Sequence, residues 1–97
     1  MVKINIPIKE ACVESTDQAV NAERNGADRI ELCRNLAQDG LTPELDVIQN
    51  TMKSVNIPVK VMIRPRPGNF IYSHNEIKTM EQDIGLCKKL NVPVVVI

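Results

Sequence analysis

Residues Ile8–Cys12 read IKEAC and Asp28–Cys33 read DRIELC, so Glu10 and Cys12 recur as Glu31 and Cys33 twenty-one residues later. Both stretches have strand length, and alternation along a strand puts each Glu on the same face as its Cys. Between them, Ser15 and Gln18 have the spacing of a helix-capping box. Ala19, Val20 and Ala22 give the helix a weak apolar side, and Asn25-Gly26 stops it, since glycine accepts the left-handed backbone of a helix end. A strand and helix followed by a second strand of the same pattern is a βα unit repeated in register.

The pattern continues along the chain. Asp39-Gly40 marks a turn, and Thr42-Pro43 supplies a cap and a first-turn proline for a second helix. Leu45, Ile48, Met52 and Val55 share one face of that helix, which Asn56 and Pro58 end. Val59–Arg64 (VKVMIR) is the third strand, and the loop Pro65–Tyr72 follows it. Ser73 and Glu76 form a capping box for a third helix, whose buried side carries Ile77, Met80, Ile84, Cys87 and Leu90. Pro93–Ile97 (PVVVI) is the fourth strand.

The order βαβαβαβ implies parallel strands joined by right-handed crossovers. No GxGxxG follows the first strand, so the dinucleotide-binding fingerprint is missing. The short repeated unit points instead to α/β architecture as a partial TIM (β/α)8-type barrel. Residues 1–97 are expected to form a single partial domain, a half-barrel with parallel strands. Such a half leaves two sheet edges and an inner face uncovered. The expectation is therefore a fragment, a truncated product with no function of its own, or a piece that self-associates or pairs with a missing barrel half.

Composition narrows the function. Twelve basic and twelve acidic residues cancel, and Phe70 and Tyr72 are the only aromatics, which argues against nucleic acid as partner. No apolar stretch approaches a membrane span, and MVKINIPIKEA lacks the apolar core of a signal peptide. Three widely spaced cysteines do not make a disulfide framework, so reduced thiols and a cytoplasmic location are expected.

The chemistry-bearing residues fall at the strands. If Glu10, Cys12, Glu31, Cys33, Lys60, Met62 and Arg64 face inward, the barrel interior holds ionisable groups where packing alone would place Val, Ile and Leu. Arg64 between Glu10 and Glu31 would balance them. Cys12 and Cys33, on strands about 4.8 Å apart, could hold a soft ion such as Cu(I) with the thioether of Met62 nearby. The alternative is that both are small buried residues, as free Cys often is. Arg64 and Arg66 could hold a small anion, with Glu10 or Glu31 as acid or base, or simply serve an internal ion-pair network. Cys87 belongs to a helix core stripe, and His74 is a solvated helix-start residue. Phe70 and Tyr72 are expected as an aromatic lid or a functional loop.

At these residues the sequence resembles the CutC copper homeostasis family. The segments that carry the resemblance are ACVES (Ala11–Ser15), NGADRIELC (Asn25–Cys33), GLTP (Gly40–Pro43), IPVKVMIRPR (Ile57–Arg66) and NFIYS (Asn69–Ser73). The resemblance implies a TIM barrel, an intracellular role in copper handling, and Cu(I) binding by the cysteines that correspond to Cys12 and Cys33. It leaves open an enzymatic activity on a small anionic substrate. Asp39 stands where the family pattern has glycine, Glu44 where it has serine, and Pro67 replaces a glycine of the loop, removing one N–H donor. Relatives are about twice this length or more.

Overall fold

The computed structural model describes residues 7–97, so the first six residues of the MVKINIPIKEA segment lie outside the description. The elements are β1 (Glu10–Val13), α1 (Thr16–Arg24), β2 (Arg29–Leu32), a 3-10 turn (Leu36–Gln38), α2 (Leu45–Ser54), β3 (Val59–Met62), α3 (His74–Lys89) and β4 (Val94–Val96). The predicted order stands. β2, β3 and β4 are shorter than their apolar runs, and β1 starts two residues later than expected and extends to Val13.

The four strands form one parallel sheet in chain order, β1-β2-β3-β4. With no reversal of order, every right-handed crossover steps the same way and stacks its helix on the same face. A doubly wound sheet, by contrast, reverses order and carries helices on both faces. This is the topology of half a parallel barrel, with helices outside and, among the described residues, an uncovered inner face.

Burial follows the alternation. Val13, Ile30, Leu32, Val59, Val61 and Ile63 point to the helical layer and pack with Ala19, Ile48, Val55, Met80 and Cys87. Ile30, Leu32, Val61 and Ile63 have no exposed surface at all. Each such side chain contributes about 1.5–3 kcal/mol by removal from water. Thr51 is equally buried, and its Oγ1 meets Thr16 Oγ1 at 2.9 Å, which joins α2 to α1. The apolar stripe missed Thr51 because a threonine does not read as core. It also overreached: Leu45 and Ile77, both in the first turn of their helices, are 41% and 45% exposed.

The helix ends show how local sequence acts. Ser73 Oγ accepts from the Glu76 N–H, and the Glu76 carboxylate accepts from the Ser73 N–H, completing the predicted capping box. Ser15 Oγ accepts from the Gln18 N–H, but Gln18 Oε1 reaches back one residue further, to the Glu14 N–H. The cap expected of Thr42 is absent. Glu44 precedes α2 in extended conformation without a side-chain cap bond. Thr42 Oγ1 instead accepts the Arg64 N–H at 2.8 Å, and the Thr42 N–H donates to the Arg64 carbonyl at 3.0 Å. A tertiary strand-end contact has taken the hydroxyl that local reasoning gave to the helix. As expected, Gly26 and Gly40 adopt positive φ, 93° and 89°.

Candidate functional site

The inner face carries the side chains that the alternation assigned to it. On β1 and β2, Ala11, Val13, Ile30 and Leu32 take the helical side, so Glu10, Cys12, Arg29 and Glu31 take the other. On β3, Val59 and Val61 are buried beneath the helices, and Lys60 and Met62 face inward. The ladders fix which residues are neighbours: Glu10 lies beside Arg29, Cys12 beside Glu31, Glu31 beside Lys60, and Lys60 beside Val94.

Charge balance on this face differs from expectation in one respect. Arg64 does not lie between the two glutamates. Glu10 Oε1 accepts from Lys60 Nζ at 2.8 Å and from Arg29 Nε at 3.0 Å. The Lys60 hydrogen bond, reinforced by the charges of Lys60 and Arg29, holds the Glu10 carboxyl below the usual carboxylate range against a smaller effect of burial. Lys60 stands level with Glu31 and Cys12, one inward position along from Glu10, and its long side chain crosses β2 diagonally to the Glu10 carboxylate. Arg64 sits four residues on from Lys60, past the end of β3, and pairs with neither glutamate. The sequence put Lys60 on the right face, but only the strand register could show which cation meets which anion.

The cysteines lie on the same face but not side by side. Cys12 pairs in register with Glu31, and Cys33 lies two residues further along. On ordinary sheet spacings that diagonal puts their Cα atoms roughly 8 Å apart. This is too far for a disulfide without backbone movement, and the cysteines are free. Cys12 is exposed, whereas Cys33 is buried. Burial, followed by the charge of Glu31, pushes the Cys12 thiol up. Burial, then Glu14, pushes the Cys33 thiol up to about 11. Gly40 packs against Cys33 so closely that a Cβ there would lie 3.4 Å from Cys33 Sγ and 3.5 Å from Met62 Cε. Thus Cys33 and Met62 bring a thiol and a thioether to one spot, with Cys12 diagonal to them. Among the described residues, no group of three or more His, Cys, Asp or Glu is arranged to hold a metal. Any soft-ion site on this face would rest on sulfur donors.

The two arginines have different fates. Arg66 is paired: Nε lies 2.6 Å from Glu76 Oε2, and its other nitrogens donate to the carbonyls of Pro67, Asn69 and Ile71. Its guanidinium lies 5.3 Å from the Tyr72 ring centre. Arg64 is buried, and no carboxylate lies within ion-pair distance among the described residues. Its Nη1 donates to the carbonyls of Gln38 (2.9 Å) and Gly40 (3.4 Å), and its Nη2 to that of Gly68 (3.1 Å). Its Nε is, among the described residues, the one buried side-chain polar atom without a hydrogen-bond partner. The Phe70 ring, 72% exposed, stacks 5.3 Å above it. A cavity of about 220 Å³ at this end of the sheet is lined by Asp39, Met62, Arg64, Phe70, Tyr72, Val96 and Ile97. His74 is the exposed first residue of α3, and Cys87 lies in the core between α3 and the sheet, both as expected.

A protein-family model described as the CutC family matches residues 7–97. The chain belongs to the CutC family. Among CutC relatives, the human "Copper homeostasis protein cutC homolog" (Homo sapiens) is 57% identical over 81 residues, covering 84% of this chain and 30% of the relative. A CutC family protein of Histophilus somni is 46% identical over 88 residues, covering 91% and 36%. The crystal structure of a CutC protein from Streptococcus agalactiae superposes with a TM-score of 0.87 at 36% identity. That match covers 95% of this chain and 45% of the other, which is what half of a CutC barrel should give. The chain spans about a third of the length of the curated CutC relatives it matches.

Proposed function

We propose that this chain takes part in copper homeostasis by holding Cu(I) on the inner face of its sheet, with Cys12 and Cys33 as ligands and Met62 beside them. One observation carries the reading: three sulfur side chains share the helix-free face of three consecutive parallel strands. Thiolate and thioether donors suit Cu(I) better than harder ions. Because both thiols are held protonated, binding releases protons and tightens as pH rises. The free cysteines support a reducing, cytoplasmic setting for this role. Anaerobic Cu(I) titration against a competing chelator tests it. The wild-type chain should bind with a stoichiometry that Cys12→Ser/Cys33→Ser loses, and equal stoichiometry and affinity in the two would refute the proposal.

A second reading has its own support: a barrel enzyme acting on a small anionic substrate. Among the described residues, Arg64 is a buried cation without a carboxylate partner and its Nε has no acceptor, and it lines a mainly apolar cavity. Asp39 on the same wall favours a monoanionic carboxylate over a doubly charged phosphate ester. Arg66, already paired with Glu76, is the weaker anion contact, and Glu10 is committed to Lys60. Tyr72 is the chain's single tyrosine and there is no tryptophan, so its fluorescence reports on this cavity. Acetate and inorganic phosphate serve as probes. A saturable change with acetate that Arg64→Lys abolishes supports the reading, and no change with either probe removes it. The uncovered inner face and the outer edges of β1 and β4 support pairing of the chain, either with a second copy or with the remainder of a barrel. The mass in solution, by sedimentation, tests this.

A further inference from the structure

Cys33 is 2% exposed although it lies on the open face, where Cys12 is exposed and Met62 partly so. What covers it is the loop between β2 and α2. Gly40 approaches so closely that a Cβ on it would lie 3.4 Å from Cys33 Sγ, and its φ of 89° is a conformation that a side chain would strain. That loop is tied at its base by the paired Arg34 and Leu41 backbones and by Thr42, and at its far side by the Glu14 carboxylate on the Leu36 N–H. Over the thiol itself the tie is Arg64, whose Nη1 donates to the carbonyls of Gln38 and Gly40.

We propose that Arg64 is a latch: its guanidinium holds the Gln38–Gly40 turn down over the Cys33 thiol, so that access of a soft ion or electrophile to Cys33 requires this arginine to let go. The inference rests on the reading of Cys33 as a copper ligand, and adds what regulates access to it. Arg64 is then a positioning residue. It sets exposure of the ligand from the segment just past β3, through the loop carbonyls. Among the described residues no carboxylate pairs with it, so its charge is spent on the loop carbonyls, where charge-assisted hydrogen bonds are stronger than neutral ones.

Peptide-resolved iodoacetamide labelling of the native chain tests the latch, with buried Cys87 as an internal reporter of global unfolding. In wild type under low urea, Cys33 labelling should proceed through local opening and stay flat, while Cys87 labelling rises with urea. In Arg64→Ala, loss of two charge-assisted bonds should raise the Cys33 rate about tenfold or more with Cys87 unchanged. Arg64→Lys, which keeps the charge and loses the fork, should fall between. Removing a cation would by itself disfavour the thiolate and slow the reaction, so acceleration reports exposure and not charge. A Cys33 rate that tracks Cys87 through the urea series, or one unchanged in Arg64→Ala, would overturn the proposal. No copper enters the assay, so failure of the latch leaves the Cu(I) reading to its own titration.

Discussion

Raising the pH should destabilise this fold through one thiol. Burial and the nearby charge of Glu14 push Cys33 from 9.0 to about 11. The folded chain therefore keeps this proton to higher pH than the unfolded chain. The resulting stability is fully present below pH 9 and is lost as pH rises through 11. Two units correspond to about 2.7 kcal/mol in full, of which about half should be gone by pH 10. The assay is urea unfolding under anaerobic, reducing conditions at intervals between about pH 8 and 11, comparing wild type with Cys33→Ala. Every other group is common to both chains, so its contribution cancels. What remains is the difference between the two midpoints, which should narrow by about 1 M urea across the range. A gap that stays constant with pH would show that the Cys33 thiol is not held protonated by its surroundings, and would refute the reasoning from burial.

Three further outcomes follow from the packing and the charge network. Ile30→Ala empties a fully buried site between β2 and the helices and should cost about 2–5 kcal/mol, read by chemical denaturation. Ser73→Ala removes half of the capping box that starts α3 and should cost about 1 kcal/mol, with a matching loss of helical signal at that end by amide exchange. Glu10, held below its ordinary value by Lys60 and Arg29, contributes stability that is present above pH 4.5 and lost as pH falls through its lowered value. Glu10→Gln should therefore flatten the acid limb of the stability curve relative to wild type, and an unchanged acid limb would contradict the ion pair.

Much of this architecture is local, and the sequence expresses it locally. Strand and helix order, the Ser73–Glu76 box, the stop at Asn25-Gly26 and the turn at Asp39-Gly40 depend on a few adjacent residues and on the backbone each allows. The face of each strand follows from alternation once the strand is found, which is why Glu10, Cys12, Glu31, Lys60 and Met62 could be placed on the inner side beforehand. Local reasoning failed where a side chain had two suitors. Thr42 left its helix for the backbone of Arg64, and Thr51 was drawn into the core by Thr16.

The sequence alone determined a parallel βαβαβαβ half-barrel whose inner face carries carboxylates, thiols, a thioether and cations, because periodicity encodes faces. Only the tertiary structure decided how those groups meet. The Glu-x-Cys repeat is twenty-one residues long, but the β1–β2 ladder is offset by nineteen, so Cys12 pairs with Glu31 and stands diagonal to Cys33. The same offsets gave Glu10 to Lys60 and left Arg64 to the loop over Cys33. Register is a property of two strands together, set by how they twist and pack against shared helices, and no single stretch of chain contains it.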